Sequence, residues 1–325
     1  MKEDINEMPS FIGFNGIVDT KLQFFHYLCN SKLKETIMNR WIITLLVSVF
    51  TLGIQAQDIE YTQSDSALVV KLLDVAKHQR GTENPIFYFG KKFLGLPYVA
   101  HTLELGDKEH LIVNLHGLDC TTFVETVVAL SMCDQQDRRT FDAFCQNLSK
   151  IRFREGKMTD YTSRLHYFTW WAEDNERLGI VEDIAPKTAP WGAFTAVQTI
   201  NINYMSAHPS LYKQLKNHPQ FVAPIKQYEQ ASNGRQFRYI PKKNMNWKQD
   251  TALGVIQDGD IVAMLTDSDG LDTRHIGIAF WQKGELHLLH ASSLYKKVLL
   301  SPETFYEYEM KQAKHTGIRV FRFKE

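Results

Sequence analysis

Cys120 stands in Leu118-Asp119-Cys120-Thr121-Thr122-Phe123-Val124-Glu125, a stretch that reads as the start of a helix. Asp119 is a good N-cap, and Thr122 with Glu125 strengthens the start signal. A cysteine in a first helical turn meets unpaired N–H groups and the positive end of the helix dipole, and both favour a thiolate. The thiolate is the nucleophilic form of cysteine, so the position suits covalent catalysis. The plainer alternative is that Cys120 is a small buried hydrophobe, as most cysteines are.

A nucleophile needs a base, and two histidines lie in segments that alternate like strands: His275-Ile276-Gly277-Ile278-Ala279-Phe280-Trp281 and Leu286-His287-Leu288-Leu289-His290-Ala291-Ser292. If Lys283-Gly284 forms a two-residue turn, Gln282 faces Glu285, His275 lies opposite Ser292 and His290 opposite Gly277. Side chains alternate along each strand, so His275 and His290 share one face as diagonal neighbours and His287 falls on the other. A base held by a third polar group is the logic of a Cys–His–polar triad, with His275 as general base and His290 orienting it. Gly277 and Ala279 lie on the same face and are small enough to let the Cys120 helix pack there. Two ordinary strand histidines are the bland alternative, and Cys plus two His could also hold zinc. A cysteine at a helix start facing paired sheet histidines suits a nucleophile better, so neither metal nor cofactor is expected.

These residues must be positioned by the elements around them. The pattern from Ser64 to His78 has apolar residues at helical spacing, with Ser64 or Asp65 as cap. Residues 81–95 read as a glycine- and aromatic-containing loop, Leu111–Leu115 as a short strand, and Thr121–Met132 as a helix. The middle of the chain, Phe141–Asn246, is aromatic and proline-interrupted and reads as helices joined by long loops. Gly259–Met264, His275–Trp281, Leu286–Ser292 and Gly317–Phe323 read as strands. Helices first and strands later is the α+β order.

The 325 residues carry 37 Lys+Arg and 37 Asp+Glu, a formal charge of zero. That balance argues against a nucleic-acid-binding domain, which would show a basic excess. Four cysteines are too few for a disulfide scaffold. Trp41–Ile54 carries no charge, follows Arg40 and ends in Gln55-Ala56-Gln57, the form of a secretory signal peptide. It is short for a bilayer span. The expectation is translation from Met38, a signal peptide over 38–56 with cleavage after Ala56, and residues 1–37 as a mis-assigned start or an unstructured extension. Cys29 lies upstream of the apolar run, so it is no lipoprotein cysteine and no stable membrane anchor is expected. Cys133 and Cys145 could pair after export; nothing in the sequence decides it. Residues 57–325 are expected to form a single catalytic domain with an insertion at about 135–250.

The motif around Cys120, together with Gly259-Asp260-Ile261-Val262, His275-Ile276-Gly277-Ile278 and Leu289-His290-Ala291-Ser292, resembles the NlpC-type cell-wall cysteine peptidases. Phe93-Leu94-Gly95-Leu96-Pro97-Tyr98-Val99 is similar to that family's Gly-x-Pro-Tyr segment, whose Tyr lies beside the nucleophile. More narrowly, these segments with Ser163-Arg164-Leu165-His166-Tyr167-Phe168 resemble the exported N-acetylmuramoyl-L-alanine amidase-like branch. The resemblance implies a papain-like fold, with a nucleophile helix packed on an antiparallel sheet. It implies Cys120, His275 and His290 as catalytic residues, and hydrolysis of the amide between N-acetylmuramic acid and L-alanine in peptidoglycan fragments. The alternatives are an endopeptidase cutting between D-glutamate and the diamino acid with the same triad, and a non-catalytic wall-binding module. Tyr98, Asp119, Thr121, Arg164, His166 and Tyr167 are the candidates for substrate or oxyanion contacts. Thr121-Thr122 replaces the usual Ser-Gly after the cysteine, so contacts known for those enzymes need not transfer. The aromatic insertion, with Trp170 and Trp171, could shape a saccharide or peptide pocket or could simply be core.

Overall fold

The computed structural model describes residues 59–186, 192–246 and 255–325. The expected signal peptide at 38–56 and the segment 1–37 lie outside the described residues. Strand β1 (Ile59–Glu60) leads into helix α1 (Gln63–Gln79), where Thr62 is the cap rather than Ser64 or Asp65. Thr62 and Asp65 form a reciprocal capping box, and the buried Asp65 also accepts the Leu115 N–H at 2.8 Å. The segment expected to be loop contains α2 (Pro85–Lys91), started by the Asn84 side chain and a proline at its first position. A two-residue β2 (Leu111–Ile112) pairs in parallel with β1.

Helix α3 (Cys120–Gln135) is buried from Thr122 to Asp134 without a break, so it has no single apolar face and runs through the core. Helix α4 (Phe141–Arg152) is tied to it by Arg152, whose Nε donates to Glu125 at 2.7 Å with both side chains buried. Helix α5 (Phe168–Arg177) follows.

The middle of the chain differs from a helix-and-loop expectation. It contributes strands β3 (Val181–Asp183), β4 (Ala196–Thr199) and β5 (Gln236–Pro241), besides α6 (Tyr204–Ala207), α7 (Lys213–Asn217) and α8 (Val222–Ser232). These strands are short and partly exposed, so they lack the apolar run that marks a strand in sequence.

The C-terminal third supplies the sheet: β6 (Ile261–Thr266), β7 (Thr273–Gln282), β8 (Glu285–Ser292), β9 (Lys297–Leu300), then helix α9 (Phe305–Lys311) and β10 (His315–Phe323). The antiparallel order is β4-β5-β10-β6-β7-β8-β9, with β3 also on β10. Where β10 shifts register, at Gly317, a side chain would strike the Ile240 carbonyl, so only glycine fits. The mixed α and antiparallel β architecture agrees with the α+β reading. Among the described residues no helix is long and apolar enough to cross a membrane.

Both faces of this sheet are covered, and the strand period of two sorts its side chains between two cores. Ile261, Ala263, Ile276, Ile278, Phe280, Leu289 and Ala291 join α1–α5 in the larger core. Val262, Met264, Ala279, Leu286, Leu288, Ile318 and Val320 join Phe305 and Tyr308 of α9 in the smaller one. Such double burial explains why the strands read as almost continuous apolar runs.

Candidate active site

The start of α3 is built by its own side chains. The Asp119 carboxylate accepts the Thr122 N–H and hydroxyl, both at 2.8 Å, and Thr122 Oγ1 accepts the Asp119 N–H at 2.9 Å. Asp119 is thereby engaged as the cap. Cys120 follows in the first turn, half-buried, its sulfur hydrogen-bonded by the Ile276 N–H and by the Thr121 side chain and backbone. The surroundings of Cys120 pull its protonation both ways. Burial, and after it the Asp119 carboxylate, push the thiol up to about 12, against the lowering effect of those hydrogen bonds.

The histidine hairpin has the register read from the sequence. Gln282 pairs with Glu285 and Ile278 with Leu289 around a Lys283-Gly284 turn with positive φ at both residues (52° and 77°). His275 and His290 share a face, with 2.6 Å between His275 Nε2 and His290 Nδ1. Burial, then the charges of His290 and His315, hold His275 well below the usual imidazole range; burial holds His290 down at about 3. Burial thus favours the uncharged forms of the thiol and of both imidazoles.

The element expected on that face is not the one found. Helix α3 packs on the opposite side, with Phe123 and Val127 in the larger core beside Ile276 and Ile278. The histidines instead meet α9, the Tyr308 ring centroid lying 5.3 Å from that of His290 and 6.2 Å from that of His275. Gly277 owes its size to its own hairpin, because a side chain there would press on Leu288 and on His290. Cys120 shares a cavity with His275 because it is the first residue of its helix. Its sulfur lies against the backbone of Ile276, next to His275, and near enough to Tyr308 for its charge to raise that phenol.

Cys120, Thr121 and His275 line one cavity of about 520 Å³. His166 and Tyr167 line it too. His166 Nε2 is 2.7 Å from the Tyr161 carbonyl oxygen, which can only accept, so Nε2 carries the proton and Nδ1 a free lone pair. Burial and the Arg164 charge hold this ring neutral as well. The Tyr167 hydroxyl is occupied, donating to Glu229 at 2.7 Å and accepting the Met205 N–H at 3.0 Å. Tyr98 is placed beside the nucleophile by the bonds Val99 N–H to Leu118 O and Leu118 N–H to Pro97 O, both 3.2 Å. Burial, then the charges of Cys120 and Asp119, push its phenol up to about 12.

Arg164 stands apart from the cavity wall. It is buried and paired with Glu104 at 2.7 Å and Glu109 at 3.2 Å, and it stacks on Tyr161. Through Glu104, Glu109 and the Leu103 carbonyl it is tied to the 103–109 loop, and it is not among the residues that line the cavity.

Several residues at the site were not read from the sequence. The fully buried His290 has a second partner, Ser301, with 3.0 Å between His290 Nε2 and Ser301 Oγ. The β8–β9 register pairs His290 with Leu299, which makes Ser301 the diagonal neighbour on that face, a relation the alternation after Lys297 already contained. Behind Tyr308, His315 Nδ1 meets Glu309 at 2.9 Å, both buried. Trp171 and Glu104 line the cavity, and among the described residues Trp171 Nε1 and Glu104 Oε2 are buried without a partner. Cys133 and Cys145 are buried free thiols, and Cys133 accepts an Asn147 amide hydrogen bond. Among the described residues no group of three or more His, Cys, Asp or Glu is placed to hold a metal.

Comparison with solved structures places the chain beside an N-acetylmuramoyl-L-alanine amidase from Bacteroides uniformis. The two are 42% identical with a TM-score of 0.68, over 74% of this chain and 98% of that one. A Bacteroides fragilis protein described as a candidate xylanase is 43% identical, with a TM-score of 0.67 over 72% and 99% of the two chains. A Legionella pneumophila protein of the DUF1460 family shares the fold at 21% identity and a TM-score of 0.63, over 81% and 95%. No curated protein matches. The family model described as AmiA-like, N-acetylmuramoyl-L-alanine amidase-like, matches residues 88–318, which include Cys120, His275 and His290, and the chain belongs to that family.

Proposed function

We propose that this protein is an exported cysteine amidase that hydrolyses the amide between N-acetylmuramic acid and L-alanine in peptidoglycan fragments, on a papain-like arrangement of nucleophile helix and sheet. The observation that carries this reading is one cavity holding Cys120 at a helix start and His275 on the facing strand, with His290 bonded behind His275. Family membership and the amidase among the solved structures support the bond chosen.

The chemistry follows from the protonation states. Thiol and imidazole rest as a neutral pair, so attack and proton removal go together. Cys120 Sγ bonds to the carbonyl carbon as His275 Nδ1, the ring nitrogen left free by His290, takes the thiol proton. The same proton then goes to the departing L-alanine nitrogen, and the acyl group stays on sulfur until a water, deprotonated by His275, attacks its carbonyl; the C–S bond breaks and His275 returns the proton to the sulfur. The oxyanion is held by the Cys120 backbone N–H, one of the helix's unpaired first-turn donors, and by the Tyr98 hydroxyl, which is protonated at neutral pH. A zero net charge suits a ligand of neutral sugar and short peptide.

The test is mass spectrometry of muropeptides digested by the wild type and by Cys120→Ala. Intact stem peptide released only by the wild type supports the amidase. A dipeptide left on the sugar makes the protein an endopeptidase, and equal binding by both proteins with no product makes it a wall-binding module.

A further inference from the structure

The bond between His275 and His290 works in two directions, and only one of them leaves His275 a base. If His290 Nδ1–H donates to His275 Nε2, the remaining proton of a neutral His275 sits on Nδ1, the nitrogen that must accept the thiol proton. If His275 Nε2–H donates to His290 Nδ1, then Nδ1 of His275 carries a lone pair and is ready. The second direction requires His290 to hold its single proton on Nε2. That nitrogen lies 3.0 Å from Ser301 Oγ, and the His290 side chain is wholly buried, so no solvent can take the proton's hydrogen bond instead.

We infer that Ser301 is a positioning residue: its hydroxyl can donate to or accept from His290 Nε2, and by accepting the Nε2–H it keeps the tautomer in which His275 can act as base paired inside a buried site. The inference rests on the amidase reading for its consequence in catalysis, but the tautomer itself is a property of the resting protein. The row His275, His290, Ser301 crosses three adjacent strand lines on one face of the sheet. Ser301 is fixed there by its own backbone: its N–H donates to Leu288 O at 2.8 Å and its carbonyl faces His287 Nδ1 at 3.2 Å. The other titratable groups near the row do not replace it. His287 points to the opposite face, and His315 is bonded to Glu309. The Tyr308 ring stands edge-on to His290.

When the thiol proton arrives, the same direction of bonding matters more. The imidazolium of His275 has an Nε2–H that cannot be given up to solvent, and His290 Nδ1 must stay an acceptor to hold it. Without Ser301 Oγ, the ready tautomer buries an unpaired N–H on His290, while the idle tautomer buries only an unpaired lone pair. The balance moves to the idle form.

The experiment has two readouts on the full chain. Nitrogen-15 spectra of labelled histidine report which His290 nitrogen is protonated, and kcat and KM on muropeptides report the consequence. The wild type should show Nε2–H on His290. Ser301→Ala should move the proton toward Nδ1 and lower kcat about 10- to 100-fold at little change in KM. Ser301→Thr, which keeps the hydroxyl, should restore both. A wild type with His290 protonated on Nδ1, or a Ser301→Ala protein with an unchanged tautomer and unchanged kcat, overturns the inference. If Ser301→Ala does not fold, a Ser301→Thr protein with the alanine-type tautomer would equally overturn it. A wild type with the Nε2–H tautomer but no release of stem peptide would instead remove the amidase reading and leave the tautomer assignment standing.

Discussion

His275 Nε2 lies 2.6 Å from His290 Nδ1, with the Tyr308 ring against both, so one face of His275 is fixed and one nitrogen is free. The same two strands bring His287 to the opposite face, where its Nδ1 meets a backbone carbonyl. The three histidines of this hairpin should therefore separate sharply by function. His275→Ala should lower kcat by about 10²- to 10⁴-fold, the range set by loss of a general base. His290→Ala should fall by about 10- to 100-fold, since it orients without touching substrate. His287→Gln should stay within about threefold of the wild type, because His287 lies on the opposite face and the glutamine amide can still donate to the Ser301 carbonyl that His287 Nδ1 meets. Steady-state rates on one purified muropeptide check the ranking, and a dead His287→Gln protein with intact folding would upset it.

The neutral thiol predicts an unusual pH dependence of chemical labelling. A preformed thiolate–imidazolium pair would react with iodoacetamide at a plateau rate near neutrality. Here burial and the Asp119 carboxylate push the Cys120 thiol up to about 12, and His275 is held well below the usual imidazole range. Labelling of Cys120 should be slow at pH 7 and still rising at pH 9. The sign for the base is opposite: falling pH protonates His275 only well below 6.5, so kcat/KM should not fall as pH drops from 8 to 6.5. A labelling plateau between pH 6 and 7 would contradict both statements, and mass spectrometry of the labelled peptide reads it directly.

Much of this site was legible because it obeys short-range rules. The cap before Cys120 and the two-residue turn at Lys283-Gly284 are local chemistry, and the turn carries the His275–His290 relation with it. The helix partner was not legible, because both faces of the sheet are buried and the small residues Gly277 and Ala279 gave no sign of which core they entered. The burial that raises the Cys120 thiol was not legible for a similar reason. A helix start favours a thiolate only while solvent or a cation shares the load, and burial beside Asp119 is a fact of tertiary packing. Ser301 lay between these cases. It follows from the β8–β9 register, but that register depends on a strand of only four residues, too short for an alternation to declare itself.

Arg164 offers a test of the difference between holding a cavity and touching its ligand. Its guanidinium faces Glu104 and Glu109, and burial has already lifted the Glu109 carboxyl to about 7 against that pairing. Arg164→Ala leaves both carboxylates without their cation in a buried place, a change that costs about 3–5 kcal/mol in comparable pairs. The urea midpoint of unfolding should fall accordingly. Arg164→Ala with Glu109→Gln should recover part of the loss, since the second change removes one orphaned charge. An Arg164→Ala protein of unchanged stability but raised KM would return Arg164 to the list of substrate contacts.

Trp171 is the opposite case, a residue whose hydrogen-bonding group has no partner within the protein. Its indole stacks on Phe168 at 5.4 Å, the residue lines the cavity, and its buried N–H finds no acceptor among the described residues. A desolvated donor of this kind costs the free protein about 1–3 kcal/mol and becomes favourable only when a ligand supplies an oxygen. Trp171→Phe keeps an aromatic ring against Phe168 and removes the donor. The free protein loses volume but is relieved of an unpaired N–H, so its stability should change little, whereas KM should rise about tenfold with a smaller change in kcat. A fall in stability with KM unchanged would mean that the indole serves packing alone, and that the cavity takes its ligand's oxygen elsewhere.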